Sequence, residues 1–261
     1  MTRAAGLTAL SAFAMAFGIT RTPLAQDTTT VAPPADSQAA SPEDTPARPW
    51  HVGEHLEYQV KFGLFSVGRA AMDVLDIDTI RGVPVYHVIF TIHGHALMYT
   101  LNDSLQSWFG VHDLVSRRFQ QDTEESGHQR HRSYEIFPEH RRVIRNGTDT
   151  TETVTDPLDD ASFFFYARTL PFERDSTYTF GRYFIPDRNP VSIRVLQRQT
   201  ISVPAGRFQT VAVRPIIKSK GLFSQGGQAV IWFSDDAARI PVRIRSALPV
   251  GTIDISLRRR G

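Results

Sequence analysis

Residues 229–244, A-V-I-W-F-S-D-D-A-A-R-I-P-V-R-I, decide the fold. Ala229 to Phe233 is β-branched and aromatic, as in a buried strand. Ser234, Asp235 and Asp236 interrupt it, because short polar side chains bond their own backbone and favour turns. Alternation then resumes. Ile240, Val242 and Ile244 point one way while Arg243 and Arg245 point the other. Pro241 has no N–H to give a ladder, so it belongs at a strand start or an edge. The segment is a hairpin.

Working outward, the same period of two recurs along most of the chain. The alternation predicts strands over 55–62, 69–77, 83–95, 104–111, 117–125, 129–137, 177–185, 191–203, 207–217, 228–233, 240–248 and 252–257. Residues 96–101 suggest a short helical turn. Asn146-Gly147 is a two-residue hairpin signal, since both residues tolerate positive φ. One segment is helical: Asp156 as cap, Pro157 at the first position, and a helix over 158–170 ended by Pro171. It carries Phe163, Phe164, Phe165 and Tyr166, four aromatics that cannot share one helix face. Two readings stand: a helix wedged between two apolar surfaces, or a plug in the mouth of a curved sheet that leaves aromatic area for a ligand. The fold class expected is all-β and mainly antiparallel, a strongly curved meander sheet or partly closed β-barrel with one short helix.

The N-terminal segment has the pattern of a secretion signal. Arg3 precedes an apolar run from Ala4 to Ile19, and Pro23-Leu24-Ala25 offers small-residue cleavage. The run is short for a membrane span and no later stretch approaches it, so no transmembrane span is expected in the mature chain. The organisation expected is a signal peptide over 1–25, a disordered Pro/Thr/Ala-rich linker over 26–49 and one β-rich domain over 50–261, exported and periplasmic. The 261 residues contain no cysteine, which excludes disulfides, thiol chemistry and a lipid-modified N-terminal cysteine.

Net charge is +2. The densest basic cluster, Arg130, Arg132, Arg141, Arg142 and Arg145, is interleaved with Glu135 and Glu139, and reads as a solvated hairpin face, so no nucleic-acid partner is expected. His93-x-His95 puts two imidazoles on one strand face with His87, but a closed site needs further ligands and no metal is expected. Asp235-Asp236, Asp159-Asp160 and Glu124-Glu125 are neighbours in sequence, whereas acid/base pairs must face one another. No nucleophile elbow, P-loop or dinucleotide fingerprint occurs, so neither cofactor nor catalytic residues are assigned, and an enzyme is the less favoured reading.

Several motifs, in order, resemble the bacterial envelope family known as domain of unknown function 3108. They are Val52-Gly53-Glu54-x-Leu56-x-Tyr58 with Gly63 and Val67-Gly68; Asp156-Pro157-Leu158 with Tyr166-x-Arg168-Thr169-Leu170-Pro171; Val203-Pro204-Ala205-Gly206-x-Phe208; and Trp232-x-Ser234-Asp235-Asp236 with Arg239-Ile240-Pro241-Val242. Glu173 to Ser176 departs from the Pro-Gly type of turn the family tends to have there. The resemblance implies an exported β-rich protein and brings no catalytic residues.

A repeated tetrapeptide is the most suggestive functional signal. Gly63-Leu64-Phe65-Ser66 and Gly221-Leu222-Phe223-Ser224 both lie between strands, where polar residues are usual. Each Leu-Phe pair either folds back as a plug or forms an apolar lip, with 248–251 as a third such loop. The first functional expectation is a non-enzymatic periplasmic carrier of an apolar, lipid-like envelope molecule, contacted by Phe65, Phe164, Phe165 and Phe223. The rival is an envelope assembly factor acting through protein contacts, which a filled interior would favour. The third is a glycan or lipid hydrolase, which would require His93, His95 and a carboxylate to converge in a polar cleft.

Overall fold

The computed structural model describes residues 47–96, 99–125, 127–217, 229–248 and 251–261. The expected signal peptide and most of the expected linker therefore lie outside the described residues. So do Phe223 with its tetrapeptide, and Pro249-Val250.

Every strand in the described chain joins one antiparallel sheet of fourteen. The first half is a meander: β1 (His55–Phe62), β2 (Phe65–Ile80), β3 (Val83–Ala96), β4 (Tyr99–Gly110), β5 (Ser116–Glu125), β6 (His128–Phe137), β7 (Arg142–Arg145) and β8 (Asp149–Glu152). The helix α1 (Ser162–Arg168) follows. A second meander is formed by β9 (Thr177–Phe180), β10 (Val191–Val203), β11 (Gly206–Ile216), β12 (Val230–Ser234), β13 (Pro241–Leu248) and β14 (Gly251–Arg260). β1 pairs with β14, so the two meanders fuse at the middle and the four-residue strands β8 and β9 form the outer edges. Short edges limit unwanted pairing with other chains. The strand alternation expected from sequence is realised, as are the hairpins: Asn146 and Gly147 take φ of 50° and 76° between β7 and β8.

The sheet is strongly curved and does not close. Instead the chain after each edge strand bridges the gap. Leu158 and Tyr183 form an isolated parallel bridge, and Thr153 Oγ1 donates to Phe184 O at 2.7 Å. The Phe184 ring then sits on the concave face against Phe119 and Tyr134, with ring centres 6.0 and 5.3 Å away. Residues 181–185, expected to extend a strand, leave the sheet to make this bridge.

Three local expectations change. Ala96 and Tyr99 pair as the last rung between β3 and β4, so hairpin pairing rather than a helical turn shapes the described part of 96–101. Phe65 is the first residue of β2, so the turn between β1 and β2 is Gly63-Leu64 alone and Phe65 flanks it at the hairpin tip. The helix starts at Ser162, not at residue 158, because the sheet holds the preceding residues. Ser116 N–H donates to Pro157 O and Leu158 is taken by the bridge. Ala161 stands at the cap position without a side-chain cap bond of its own, and Asp159, rather than Asp156, supplies the side chain that takes up the N–H groups before the helix. Its Oδ1 accepts the N–H groups of Ala161 and Ser162 at 2.9 and 2.8 Å, and its Oδ2 accepts the Ser107 hydroxyl at 2.5 Å. A carboxylate at this end offsets unsatisfied donors and the helix dipole together. In the divergent turn after the helix, Asp175 takes the positive φ of 59° that a glycine adopts more readily.

Among the described residues the interior around the helix is packed with side chains. Phe164 stacks on Phe90 at 6.2 Å, Phe165 meets Trp50 and Phe109 at 5.1 and 5.4 Å, and Phe163 meets Phe180 at 6.1 Å. The helix is thus wedged between apolar surfaces, within one core that runs from β1 to β14. Trp108, Ile80 and Val85 form a small second cluster.

Candidate functional site

Antiparallel order gives the sheet two rims with different chemistry. The start of β1 and the β12–β13 turn lie on the first. Here Arg168, 1% exposed, ties the helix end to both. Its guanidinium donates to Glu54 Oε1 and Oε2 at 2.6 and 2.8 Å, to Pro49 O at 2.8 Å and to Ala238 O at 2.9 Å. Trp50 and Phe165 flank it, 5.5 and 5.6 Å from their ring centres. Glu54 and Arg168 belong to two of the motifs quoted above, and what joins them is a buried two-pronged ion pair. Asp235 and Asp236 are structural in the same way. Asp236 Oδ1 accepts Ser234 Oγ–H and the N–H groups of Ala238 and Arg239, and Asp235 takes Arg198 at 3.0 Å.

The concave face between the rims has an apolar part and a polar part. A small pocket beside the helix is lined by Met72, Val88, Phe90, Leu105 and Phe164, with Asp160 as its charged residue. It has room for nothing much larger than a water molecule. Asp160 accepts the Tyr183 hydroxyl at 2.6 Å, and burial pushes its carboxyl up to about 6. Further along β4 lies Asp103, 4% exposed, whose carboxylate oxygens have no side-chain partner, with the Glu124 backbone N–H favouring its charged form only weakly. Burial, with the Glu125 charge adding to it, pushes Asp103 up to about 7.

A carboxyl whose pKa rises on folding fits the fold best while protonated. Its contribution to stability is complete below about pH 4 and is lost as pH climbs through about 7. Asp103→Asn is therefore expected to be more stable than the parent, by a margin that grows by about 1–3 kcal/mol between pH 5 and pH 8. Urea unfolding of both proteins at the two pH values checks this. A constant margin would mean that Asp103 is solvated.

The second rim carries the β1–β2, β3–β4, β5–β6, β7–β8 and β13–β14 turns, and the strand ends flanking residues 218–228 reach it too. At the β1–β2 tip Leu64 is 94% and Phe65 76% exposed. Gly63 N–H donates to Thr252 O, and the Phe62 ring lies so close to Gly251 that a Cβ there would stand 2.7 Å from it. The tip is thus fastened at its base, while its two largest apolar side chains point into solvent. Of the four expected contact residues, Phe65 is at this tip, Phe164 and Phe165 are core residues at 5% and 1% exposure, and Phe223 lies outside the described residues.

The histidines do not converge. His93 and His95 are exposed and meet Asn102 and Thr100 across the strands, while His87 stacks on Trp108 with ring centres 4.3 Å apart. Among the described residues no group of three or more His, Cys, Asp or Glu is placed to hold a metal ion, and no helix is long and apolar enough to cross a membrane.

The architecture is that of an open, curved antiparallel β half-barrel whose interior is filled by a short helix. The chain belongs to the DUF3108 family, proteins of unknown function, whose model matches residues 57–258. Among solved structures it is similar to a β-barrel-like protein of another family of unknown function, DUF1849, from Brucella abortus. The identity is 9% and the TM-score 0.53, over 80% of this chain and 97% of that one. Two matches have lower scores. One is a candidate lipoprotein from Parabacteroides distasonis, at 10% identity, TM-score 0.36 and 82% and 97% coverage. The other is a candidate exported protein with a YmcC-like fold from Bacteroides fragilis, at 12% identity, TM-score 0.28 and 82% and 98% coverage. Only the first of the three bears on the fold. No curated protein matches the sequence.

Proposed function

We propose that the protein is a non-enzymatic, exported binding protein that engages a lipid-like molecule of the cell envelope at its second rim, rather than enclosing it in a lumen. The observation that carries this reading is the β1–β2 tip, where Leu64 and Phe65 stand in solvent on an anchored hairpin. Solvent-exposed apolar tips of this kind mark interaction sites in soluble proteins. The filled interior weighs against an enclosed acyl chain and shifts the contact outward.

Burying Leu64 and Phe65 in a hydrocarbon phase contributes roughly 1.5–3 kcal/mol each. Their sum corresponds to a weak, reversible contact. The Leu64→Ser/Phe65→Ser variant is expected to lose co-sedimentation with neutral phosphatidylcholine vesicles while its unfolding free energy stays within about 0.5 kcal/mol of the parent's. Unchanged sedimentation would sink the lipid reading. The filled interior equally suits an assembly factor whose rim docks another protein, and that reading gains if the tip is dispensable for vesicles.

A further inference from the structure

Behind the apolar tip, register lays two rows of side chains across the outer, convex face of the sheet. In β1 the core residues Tyr58 and Val60 face inward, so Gln59 and Lys61 face outward. Lys61 lies opposite Asp254 of β14, and Asp254 lies opposite Arg245 of β13. One row is therefore Lys61, Asp254, Arg245. The next row back is Arg69, Gln59, Ser256, Arg243. Residues directly opposite on paired strands share a face, so these side chains stand together although they come from both ends of the chain.

Two carboxylates lie in these rows. Asp254 is 8% exposed, and its oxygens are taken by Arg243 and by the Ser256 hydroxyl. Glu124 lies in line with Arg69 three strands away and accepts Asn102 at 3.3 Å. Lys61, Arg69 and Arg245 make no ion pair among the described residues. The rim itself supplies little countercharge. Its connections 63–64, 97–98, 126–127, 146–148, 217–229 and 249–250 contain no Asp or Glu, and Asp187 is the one acid of 181–190. The first rim is the opposite, with Glu54, Asp113, Glu139, Asp235 and Asp236 at its turns.

Depth ties the rows to the tip. Strand residues rise about 3.4 Å each, so Lys61 stands roughly 7–10 Å behind Leu64. An apolar element on a bilayer sinks about 5–10 Å into the boundary of headgroups and acyl chains. A tip buried to that depth brings the Lys61–Arg245 row level with the lipid phosphates, and long basic side chains reach forward to them while their stems stay against apolar surface. The row is about 10 Å wide across three strands, which suits several headgroups side by side better than one enclosed ligand.

We propose that the second rim docks on an anionic bilayer surface, with Leu64 and Phe65 inserted and Lys61, Arg69 and Arg245 held at the headgroup phosphates. The inference rests on the lipid reading of the tip and adds the charge of the surface it selects.

The test uses parent and variants in the form their own host produces. Each is sedimented with vesicles of phosphatidylcholine alone or mixed with phosphatidylglycerol, over a range of salt. A basic residue near an anionic surface strengthens binding about fivefold. The parent should therefore bind the anionic vesicles at least about tenfold more tightly than the neutral ones, an advantage that shrinks as salt is added. Lys61→Gln/Arg245→Gln should lose most of that advantage and keep the parent's affinity for phosphatidylcholine. Lys61→Arg/Arg245→Lys preserves both charges and should keep the advantage, as should Arg198→Gln, whose partner Asp235 is on the first rim. If the double glutamine variant does not fold, Lys61→Gln and Arg245→Gln singly carry the comparison. Equal affinity of the parent for both vesicles, or full anionic preference in folded glutamine variants, would overturn the inference and leave the lipid reading standing. Binding of the parent to neither vesicle would overturn both and favour a protein partner. Leu64→Ser/Phe65→Ser should abolish binding to phosphatidylcholine and leave only a weak, salt-sensitive hold on anionic vesicles.

Discussion

Arg168→Ala is expected to cost about 3–5 kcal/mol of stability. The side chain is fully buried and Glu54 is nearly so, at 0% and 7% exposure. Truncation leaves the Glu54 carboxylate charged and unpaired in a low-dielectric site, and strips the Pro49 and Ala238 carbonyls of their donor. A loss of that size is a large share of the roughly 5–15 kcal/mol that holds a typical domain together. The urea midpoint should fall with the slope unchanged. Replacing both charges, as in Glu54→Gln/Arg168→Met, should recover much of the loss, because paired burial returns little more than its desolvation cost. The double-mutant cycle isolates the coupling. A cost below about 1 kcal/mol for Arg168→Ala would show that the helix is not locked at this rim.

Phe165→Ala should cost a similar amount, about 3–5 kcal/mol, as large-to-small changes do when neighbours cannot collapse into the space. Trp50, Phe109 and the Arg168 guanidinium surround the ring, and each is held by other contacts. Phe65 has the same side chain and the opposite surroundings. Its truncation should leave the unfolding curve in place and act on vesicle binding alone. If Phe165→Ala left stability intact but abolished binding, Phe165 would be a contact residue, as its place in an aromatic run first suggested, and the core assignment would fail.

Much of the architecture was legible from local pattern. Alternation of large apolar and polar residues exposes the strands because successive side chains on a strand face opposite sides, whatever they later pack against. Asn146-Gly147 announces its turn because the backbone geometry is a property of those two residues. Phe65 stood out because an apolar pair at a hairpin tip contradicts the usual chemistry of loops. The helix was visible too, but its start was not: Asp156-Pro157 is a good local opening, and it is overridden because Asp159 accepts the Ser107 hydroxyl and donates its N–H to Ser116 Oγ on the sheet.

The arginines show where local reading ends. Arg130, Arg132, Arg142 and Arg145 look alike along the chain, and charge interleaving suggests one solvated face. Register instead sets Arg132 opposite Gln121 and Arg145 opposite Tyr134, turns Arg142 onto Phe137, and lines up Lys61 with Arg245 from the far end of the chain. Glu54 and Arg168 are 114 residues apart, so no spacing rule could pair them. The sequence by itself determined most of the strands and the Asn146-Gly147 turn, because each depends on the alternation or conformation of a few neighbouring residues, and it left open whether Leu64 and Phe65 fold back or project. Only the tertiary structure decided which charges are buried together and which are left to face solvent, because those partners are set by strand register and sheet curvature.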